Sequence, residues 1–215
     1  MTIGIHIFRR DFRITDNVAL HLLSSKVDKI IPIFIFDPFQ INNTTENASY
    51  RSDPAVKLMI QSLDDLDKSL RKEGSKLFYF NDDPSKVLEK LIKNIKPSFI
   101  SYNADFSKYA LKRDKDMDEV CKEHKIPVIK FMDDLTITKM EDLLNKDKVF
   151  KVFGAFYKHA LKLKARAEVK KVSNFIGTGT AILGQFNGDP NKFYDKDTDI
   201  LIPGGRSEDV GGVPP

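Results

Sequence analysis

Five short apolar runs, separated by amphipathic stretches, dominate the first 131 residues. They are rich in Ile, Phe and Val and span residues 3–8, 29–36, 76–80, 98–103 and 127–131. Such nearly continuous apolar character is typical of strands that are buried on both faces, as in a parallel sheet. Because helical patterns alternate with these runs, the sequence predicts right-handed crossovers. The predicted fold is a doubly wound, Rossmann-like α/β fold with five parallel strands and helices on both faces.

The stretches between the runs carry helix signals. In the clearest one, which follows Pro54, apolar residues recur at spacings of three and four, and Gly74 stands where a left-handed C-cap would end the helix. Asp16 is predicted to cap the helix DNVALHLLSS, and Asp83 to cap the helix that starts with Pro84. Residues 151–171 are predicted to form a further helix with its aromatic and leucine side chains turned partly inward.

The character of the sequence changes at about residue 172. From there to the last residue it is rich in Gly, Asn, Asp and Pro and shows little periodicity, as is typical of a linker. We therefore predict a domain at residues 1–171 and a linker-like tail at residues 172–215 that is extended over the surface or poorly ordered. Cutting the chain near residue 175 is accordingly expected to leave its stability nearly unchanged.

The composition narrows the classes of function. The 215 residues include one cysteine, Cys121, and four histidines without zinc-binding spacing, so we expect neither a disulfide framework nor a metal site. No apolar run reaches the roughly 18 residues of a membrane span, and the N-terminus does not have the pattern of a signal peptide. We expect an intracellular protein of a reducing compartment, cytoplasmic or nuclear and not secreted, with no membrane partner. The net charge of +4 is too small to predict nucleic-acid binding.

Loops, not the fold, decide which ligand a doubly wound sheet binds. The first strand runs into FRRDFRITDN, which contains no glycine, and neither a Walker motif nor a GxSxG motif occurs in the chain. An independent nucleotide-binding α/β enzyme therefore stays open as an alternative, but no phosphate-binding loop supports it.

Several segments, in collinear order, resemble the DNA photolyase and cryptochrome family. IFRRDFRITDNVAL at 7–20 resembles the family segment RRDLRLxDNxAL, and YNADFSKYALKRD at 102–114 resembles NxDYTPYAxxRD. KVFKVFGAFYKHAL at 148–161 is similar to YKVFTPFxKxxL, and PGGRSE at 203–208 resembles the PGGxxE segment that precedes the FAD-binding domain. By this resemblance the chain is identified as the N-terminal α/β antenna domain of the family.

The resemblance implies a second chromophore, namely a folate, FMN or a deazaflavin, which harvests light and passes excitation to FAD. By residue match, the resemblance implies that Phe36, Asp37, Arg51, Asn103 and Asp105 hold it. Arg10 is a further candidate, because it follows the first strand at the end of the sheet where ligands bind. Helix caps, strand-end turns and surface ion pairs use the same residue types, and an Arg10–Asp11 ion pair is an equal alternative. The chain departs from the family at 106–110, which lacks the Asn-Glu pair of folate-binding members, and at 153–156, where FGAF replaces FTPF.

The family's chemistry belongs to the FAD-binding domain, which accepts the flipped pyrimidine dimer and supplies a tryptophan chain. This chain has no tryptophan and ends in DVGGVPP after Glu208, where the family continues into a helix. We therefore expect no FAD site, no catalytic residue and no DNA repair by the chain alone. The expected partner is a separately encoded or deleted FAD-binding domain, and DNA would be contacted only indirectly. A chromophore-free interaction module, or a remnant of a split photolyase, is the alternative.

One basic segment needs a separate interpretation. Residues 151–171 contain seven Lys and Arg residues against one Glu. Such a segment could meet phosphates, but a solvated helix face is the favoured interpretation.

Overall fold

The computed structural model describes residues 1–41, 53–132, 138–139, 141–144 and 148–178, and its centre is a parallel β-sheet. The strands are β1 (Ile3–Phe8), β2 (Lys29–Phe36), β3 (Phe78–Asn81), β4 (Phe99–Asn103) and β5 (Val128–Phe131). They lie in the order β3-β2-β1-β4-β5, and each neighbouring pair is parallel. The direction of chain travel across the sheet therefore reverses between β1 and β4.

Helices connect the strands as the alternating pattern predicts. They are α1 (Val18–Ser24), α2 (Pro38–Ile41), α3 (Asp53–Lys72), α4 (Pro84–Ile95), α5 (Lys108–Glu123) and α6 (Phe153–Ala160), with a 3-10 turn at Glu141–Leu143. The predicted doubly wound α/β class is thus confirmed, and the five predicted strands agree with the observed ones to within two residues.

The sheet is buried on both faces because its strands carry apolar side chains on both. On β2, Ile31, Ile33 and Ile35 belong to one apolar cluster together with residues of α4 and α5. Ile30 and Phe34 belong to a second cluster together with residues of α1 and α3. Successive side chains of a strand point to opposite faces, so an unbroken apolar run requires a helical layer on each side.

Two of the predicted helix boundaries hold. The Asp83 side chain accepts hydrogen bonds from the backbone amides of Ser85 (2.9 Å) and Lys86 (3.3 Å) and so caps α4. Gly74 has a φ of 74°, which is the left-handed conformation expected just after α3.

The predicted cap of α1 is wrong by one residue. Asn17, in an extended conformation, caps the helix by accepting a hydrogen bond from the backbone amide of Leu20 (3.2 Å). Asp16 has a φ of 52°, and its carboxylate binds Arg166 Nη1 (2.6 Å) and the backbone amide of Val169 (3.1 Å). The hydrogen bond from Arg166 lowers the pKa of Asp16. A partner 150 residues away, which local sequence does not reveal, has therefore taken this side chain from the helix.

The predicted helix at 151–171 is wrong beyond α6. After a turn the chain runs back to the sheet without regular structure, and the backbone amide of Val172 donates to the carbonyl of Ile14 (3.1 Å). The predicted inward orientation is also wrong for Phe153, Tyr157 and Leu161, which are exposed.

The first part of the predicted tail is part of the core. Val172, Phe175 and Ile176 are buried, and Ile30 of β2 exchanges backbone hydrogen bonds with Asn174 (3.0 Å) and Ile176 (2.8 Å). These residues lie beside the start of β2, a position that β3 leaves open because it pairs with β2 only from Ile33 onward. The expectation that a cut near residue 175 would hardly change stability assumed a segment without core residues, and these three residues are buried. Residues 179–215 lie outside the described part of the chain.

Candidate functional site

A buried polar cluster lies at the carboxyl edge of the sheet, between β1 and β4, where the strand order reverses. Asp11 Oδ2 accepts hydrogen bonds from the side-chain amides of Asn103 (2.6 Å) and Asn17 (2.8 Å), and its Oδ1 accepts one from the backbone amide of Arg9 (2.9 Å). Asn103 Oδ1 in turn accepts one from the backbone amide of Ala19 (3.2 Å). Open α/β sheets commonly bind ligands at such a switch point, but here the protein's own side chains fill it.

The environment of Asp11 strongly favours its ionised form. Burial alone would raise the pKa of Asp11, but His6, the backbone amide of Arg9 and the Asn103 side chain outweigh burial and hold the pKa well below its usual range. His6 Nε2 lies 3.7 Å from Asp11 Oδ2, and His6 Nδ1 lies 2.7 Å from Ser101 Oγ. A serine, a histidine and an aspartate are thus in series. Because His6 and Ser101 are both 0% exposed, no substrate can reach them, and we assign them a structural role.

A second buried cluster fixes α5 on the sheet. Arg9 Nη1 lies 2.8 Å from Asp114 Oδ1, and its guanidinium stacks 3.9 Å from the centre of the Tyr102 ring. Arg113 Nη2 (3.1 Å) and Lys130 Nζ (3.7 Å) also surround the Asp114 carboxylate. Burial, together with the charge of Arg113, lowers the pKa of Arg9. Lys130 also pairs with Asp118, at 3.4 Å between Nζ and Oδ2, so the three cations share two carboxylates.

A cleft of about 530 Å³ lies between these clusters and α3. This volume is within the range of small-molecule sites. The sheet and its following loop contribute Ile7, Phe8, Phe12, Phe34, Ile35 and Phe36, and the helices contribute Ala55, Leu58, Met59, Pro84 and Met117. The charged lining residues are Arg9, Arg10, Asp37, Asp105 and Arg113. An apolar cavity with a few convergent charged groups can hold a flat aromatic molecule and fix its orientation.

The structure brings four of the six predicted site residues to this cleft, namely Arg10, Phe36, Asp37 and Asp105. Arg10 Nε lies 3.4 Å from Asp105 Oδ2, so the arginine pairs with Asp105, whereas Asp11 turns into the buried cluster. Asn103 does not line the cleft; it supports the loop behind it. Arg51 lies outside the described residues. Whether these side chains bind a ligand stays a prediction.

Asp37 has the least favourable surroundings for a charge among the carboxylates of the cleft. It is 8% exposed, and its Oδ1 accepts a hydrogen bond from the backbone amide of Phe39 (2.9 Å). Burial raises the pKa of Asp37 above its ordinary value, despite that hydrogen bond. A carboxyl group of this kind, held in an apolar cavity, is suited to accept a hydrogen bond from a ring N–H of a ligand.

Sequence reasoning missed the helical wall of the cleft. Met59 and Ser62 come from α3, and Arg113 and Met117 come from α5. Their sequence signal is only that of an amphipathic helix, which places apolar residues toward the sheet. The tilt of a helix across the sheet decides which of them face a cavity instead of the core, and periodicity does not encode that tilt.

A second, shallower cavity of about 480 Å³ adjoins the cleft. It is lined by Arg10, Phe12, Arg13, Gln61, Ser62 and Asp65. The Arg13 guanidinium donates through Nε (3.2 Å) and Nη2 (2.8 Å) to the backbone carbonyl of Asp16. We call this cavity the arginine shelf.

The α6 region exposes a further apolar surface, far from the cleft in sequence. Exposed hydrophobic side chains there are Val149, Val152, Phe153, Tyr157 and Leu161. The rings of Phe153 and Tyr157 stack with their centres 6.0 Å apart. No acidic residue occurs between Lys148 and Ala167, which together span six Lys and Arg residues. We call this the α6 surface.

The described part of the chain holds no group of three or more His, Cys, Asp or Glu side chains suited to a metal ion. Of the helices the structure describes, none has both the length and the apolar character needed to cross a bilayer.

Comparison with known proteins gives consistent matches. The family model for DNA photolyase matches residues 4–173. The chain is 31% identical over 106 residues to the (6-4)DNA photolyase of Arabidopsis thaliana, covering 47% of this chain and 19% of that protein. It is 27% identical over 172 residues to Cryptochrome-2 of Gallus gallus, covering 78% of this chain and 28% of the relative.

Solved structures agree with the sequence matches. The archaeal photolyase from Sulfolobus tokodaii is described with two FAD molecules, with the implication of a novel light-harvesting cofactor. It is 33% identical with a TM-score of 0.72, and the match covers 82% of this chain and 38% of that one. A Synechocystis cryptochrome, at 23% identity and a TM-score of 0.72, shares the fold. This chain thus spans less than two fifths of the length of each of these four proteins.

Proposed function

Since this chain belongs to the DNA photolyase family and corresponds to its N-terminal α/β domain, we propose that it is a light-harvesting antenna domain that binds a chromophore in the 530 Å³ cleft. The observation that carries the proposal is the cleft itself. Among the described residues, apolar and aromatic side chains form most of its wall, while charged groups from α5 and from the loops after β1, β2 and β4 converge on it. The same surfaces would suit a folate, FMN, a deazaflavin or FAD.

The size and chemistry of the cleft support a planar heteroaromatic ligand. Phe8 and Phe36 are the last residues of two neighbouring strands, Met59 comes from α3 and Met117 comes from α5, and all four line the cleft. Methionine and aromatic side chains pack well against a flat ring system. Asp37 and Arg113 supply an acceptor and a donor, so that the ring would have one preferred orientation. The archaeal photolyase, similar over 82% of this chain, is described with two FAD molecules, which makes a flavin the first ligand to test.

The role proposed for these residues is to bind and orient. Excitation transfer depends on the distance and mutual orientation of two chromophores, so the protein contributes rigidity rather than acid–base chemistry. Burial of the Asp11 and Asp114 clusters behind the cleft supplies that rigidity. We assign no catalytic residue.

The test is a spectroscopic titration of the purified chain with FMN, FAD, a deazaflavin and methenyl-tetrahydrofolate. We expect saturable binding of at least one of them, seen as quenched or shifted fluorescence. Arg113→Ala should weaken binding about tenfold or more, because a hydrogen bond to a charged group contributes about 1.5–3 kcal/mol. Lys112→Ala removes a cation from the neighbouring position of the same helix, where the side chain is exposed and outside the cleft, and should bind like the unchanged protein.

The proposal fails if none of the four chromophores binds at concentrations where the protein is folded. It also fails if Arg113→Ala and Lys112→Ala affect binding equally, because the site would then lie elsewhere. Circular dichroism of both variants separates lost binding from lost structure.

The activity of the whole relatives is a further proposal. We propose that the chain alone does not repair DNA and that it acts with an FAD-binding domain, supplied by the same or another polypeptide, which contacts DNA. Its lack of tryptophan and its match to 38% of the archaeal photolyase support this. A repair assay on thymine-dimer DNA, with the chain alone in blue light, should give no product; dimer cleavage would overturn the proposal.

The α6 surface favours a second candidate function, that of an interaction module. Phe153 is 75% exposed and Leu161 is 66% exposed, and contiguous exposed apolar side chains rimmed by charge are typical of contact surfaces. If no chromophore binds after reconstitution, the interaction module becomes the favoured function. The two functions are compatible, since the α6 surface does not share a lining residue with the cleft.

A further inference from the structure

We infer that the α6 surface binds the face of an anionic lipid bilayer, with its apolar side chains in the interfacial region and its lysines on the acidic headgroups. This inference names a partner for the interaction module, on which it rests, and it is independent of chromophore binding. A chain without a membrane-spanning run is expected to have no membrane partner, but a peripheral contact of this kind needs no such run.

The first observation is that α6 has apolar side chains on two faces. On its inner face the half-buried ring of Phe156 packs against that of Phe150, with the ring centres 6.0 Å apart. Its outer face carries Phe153, Tyr157 and Leu161, which recur every four residues and are exposed. A helix that is apolar on both sides is typical of an element that is covered on both sides. The outer face therefore indicates a partner.

The second observation is the charge around this outer face. Residues 139–170 contain nine Lys and Arg residues against four Asp and Glu residues, whereas the whole chain has a net charge of only +4. The positive balance of the protein is therefore concentrated here. Arg166 Nη1 lies 2.6 Å from Asp16 Oδ1, but five exposed lysines form no ion pair with a described residue, namely Lys148, Lys151, Lys158, Lys162 and Lys164. Their charges are available to an external anion.

The third observation is that the mixture of side chains favours lipid over the other anionic partners. Lysine is depleted in protein–protein interfaces, and a second copy of this chain would place lysines against lysines. Nucleic acid would leave the aliphatic side chains of Val149, Val152 and Leu161 without an apolar partner. The rings of Phe153 and Tyr157 also stack on each other, at 6.0 Å between centres, which leaves fewer ring faces for bases.

A bilayer surface satisfies both kinds of side chain at once. Aliphatic and aromatic residues bordered by lysines are typical of segments that lie in the plane of the membrane interface. The apolar ends enter the boundary of the acyl chains, while the long lysine stems let the ammonium groups reach the headgroups. A flat bilayer also accepts a protruding helix, whereas a protein partner would need a groove that fits it.

Gly154 offers a way to change the charge of this surface without disturbing the packing. Apart from the adjoining residues and the backbone of α6, a Cβ at this position would have no atom within 4 Å. The residue lies four positions before Lys158 and eight before Lys162, on the same side of the helix. Gly154→Lys and Gly154→Glu both introduce a good helix former, but they differ by two charges.

The first experiment measures co-sedimentation of the full chain with phosphatidylcholine vesicles, with and without phosphatidylserine. We expect binding to the vesicles that contain phosphatidylserine, and we expect added salt to weaken it. Gly154→Lys should bind about fivefold more tightly than the unchanged protein and Gly154→Glu about fivefold more weakly, which is the effect of one charge near an anionic bilayer. Glutamate is the more favourable residue in the first turn of a helix, so a loss of folding would not produce this order.

The second experiment tests whether the apolar face enters the bilayer. The chain has no tryptophan, so Phe153→Trp gives a single fluorescence reporter on the outer face of α6. Its emission should shift to shorter wavelength when vesicles with phosphatidylserine are added, and lipids with brominated acyl chains should quench it. Leu22→Trp, at an exposed position of α1, is the control and should show neither effect.

The outcomes separate this inference from the other proposals. If phosphatidylserine does not increase binding, or if Gly154→Lys and Gly154→Glu bind alike, the inference is wrong. If charge matters but Phe153→Trp shows neither shift nor quenching, the lysines attract lipid without insertion of the apolar face, and the inference is again wrong. Binding of single-stranded oligothymidylate in place of vesicles would assign the surface to nucleic acid and overturn the inference. The chromophore titration is unaffected by any of these results, because it uses the cleft and no lipid.

Discussion

Replacement of Phe175 by alanine tests whether the segment after residue 171 belongs to the domain. Phe175 is 3% exposed and belongs to the same apolar cluster as Leu23, Ile30 and Leu66. It forms a β-bridge with Ile30, so its backbone is held on both sides by hydrogen bonds. The side chain is therefore held inside the apolar cluster by its own backbone.

The expected loss of stability follows from that burial. Deletion of a buried phenylalanine side chain removes its transfer free energy and leaves a cavity, which together cost about 3–5 kcal/mol. A domain of this kind is stabilised by only about 5–15 kcal/mol in total. With a urea m-value of about 2 kcal/mol/M, the unfolding midpoint of Phe175→Ala should fall by roughly 2 M.

The assay is urea unfolding followed by circular dichroism, with Phe153→Ala as the matched control. Phe153 is 75% exposed, so its truncation should change stability by less than about 0.5 kcal/mol. A loss below about 1 kcal/mol for Phe175→Ala would refute the reasoning. It would show that residues 172–176 rest on the surface, as the composition of the segment suggests.

Two aspartates at the carboxyl edge of the sheet should respond to substitution with opposite signs. Asp11→Asn should destabilise the protein by about 2–4 kcal/mol at pH 7. The NH₂ group of the new amide would face the donating side-chain amides of Asn17 and Asn103, or the backbone amide of Arg9. Folding lowers the pKa of Asp11, so the ionised carboxylate stabilises the protein above the unfolded-state pKa of about 4, and this stabilisation is lost on further acidification. In urea unfolding, the difference in the free energy of unfolding between the unchanged protein and Asp11→Asn should therefore shrink below that pH. A difference that stays constant with pH would contradict the assignment. Asp37→Asn should instead stabilise the protein by about 0.5–1 kcal/mol at pH 7, because burial raises the pKa of Asp37 and its charged form is unfavourable in the fold. This gain should shrink as pH falls below that raised pKa and vanish below the unfolded-state pKa of about 4. The same variant should bind a chromophore less well. A loss of stability at pH 7 would show that the charge has an unrecognised partner.

The sequence by itself determined the fold class and most element boundaries. Strands with isoleucine and phenylalanine on both faces have to be covered on both sides, and this alone requires two helical layers. The Asp83 cap and the turn at Gly74 were also predictable, because each depends on residues that are near neighbours in the chain. The resemblance of the loops to the photolyase family then indicated Phe36, Asp37 and Asp105, which line the cleft, and the position of Arg10 after the first strand indicated a fourth lining residue.

Tertiary structure decided what depends on distant partners. Asp16 and Asn17 are adjacent, and both residue types are suited to cap a helix. Because Arg166 binds the carboxylate of Asp16, Asp16 lies in the turn and Asn17 caps α1. In the same way, asparagine is a residue type that often contacts ligands, but the side-chain amide of Asn103 donates to the buried carboxylate of Asp11 instead.

The segment at 172–176 shows the same limit of local reasoning. It has neither the period of a helix nor the length of a predicted strand. Phe175 becomes a core residue because β3 is short and leaves one side of β2 open. Periodicity indicates which face of an element is buried. It does not indicate where a strand leaves its neighbour unpaired, how α3 and α5 tilt across the sheet, or which ion pairs form between distant residues, because these depend on the folded chain. For this protein, the local pattern therefore specified the scaffold, and the packing of distant residues specified the site.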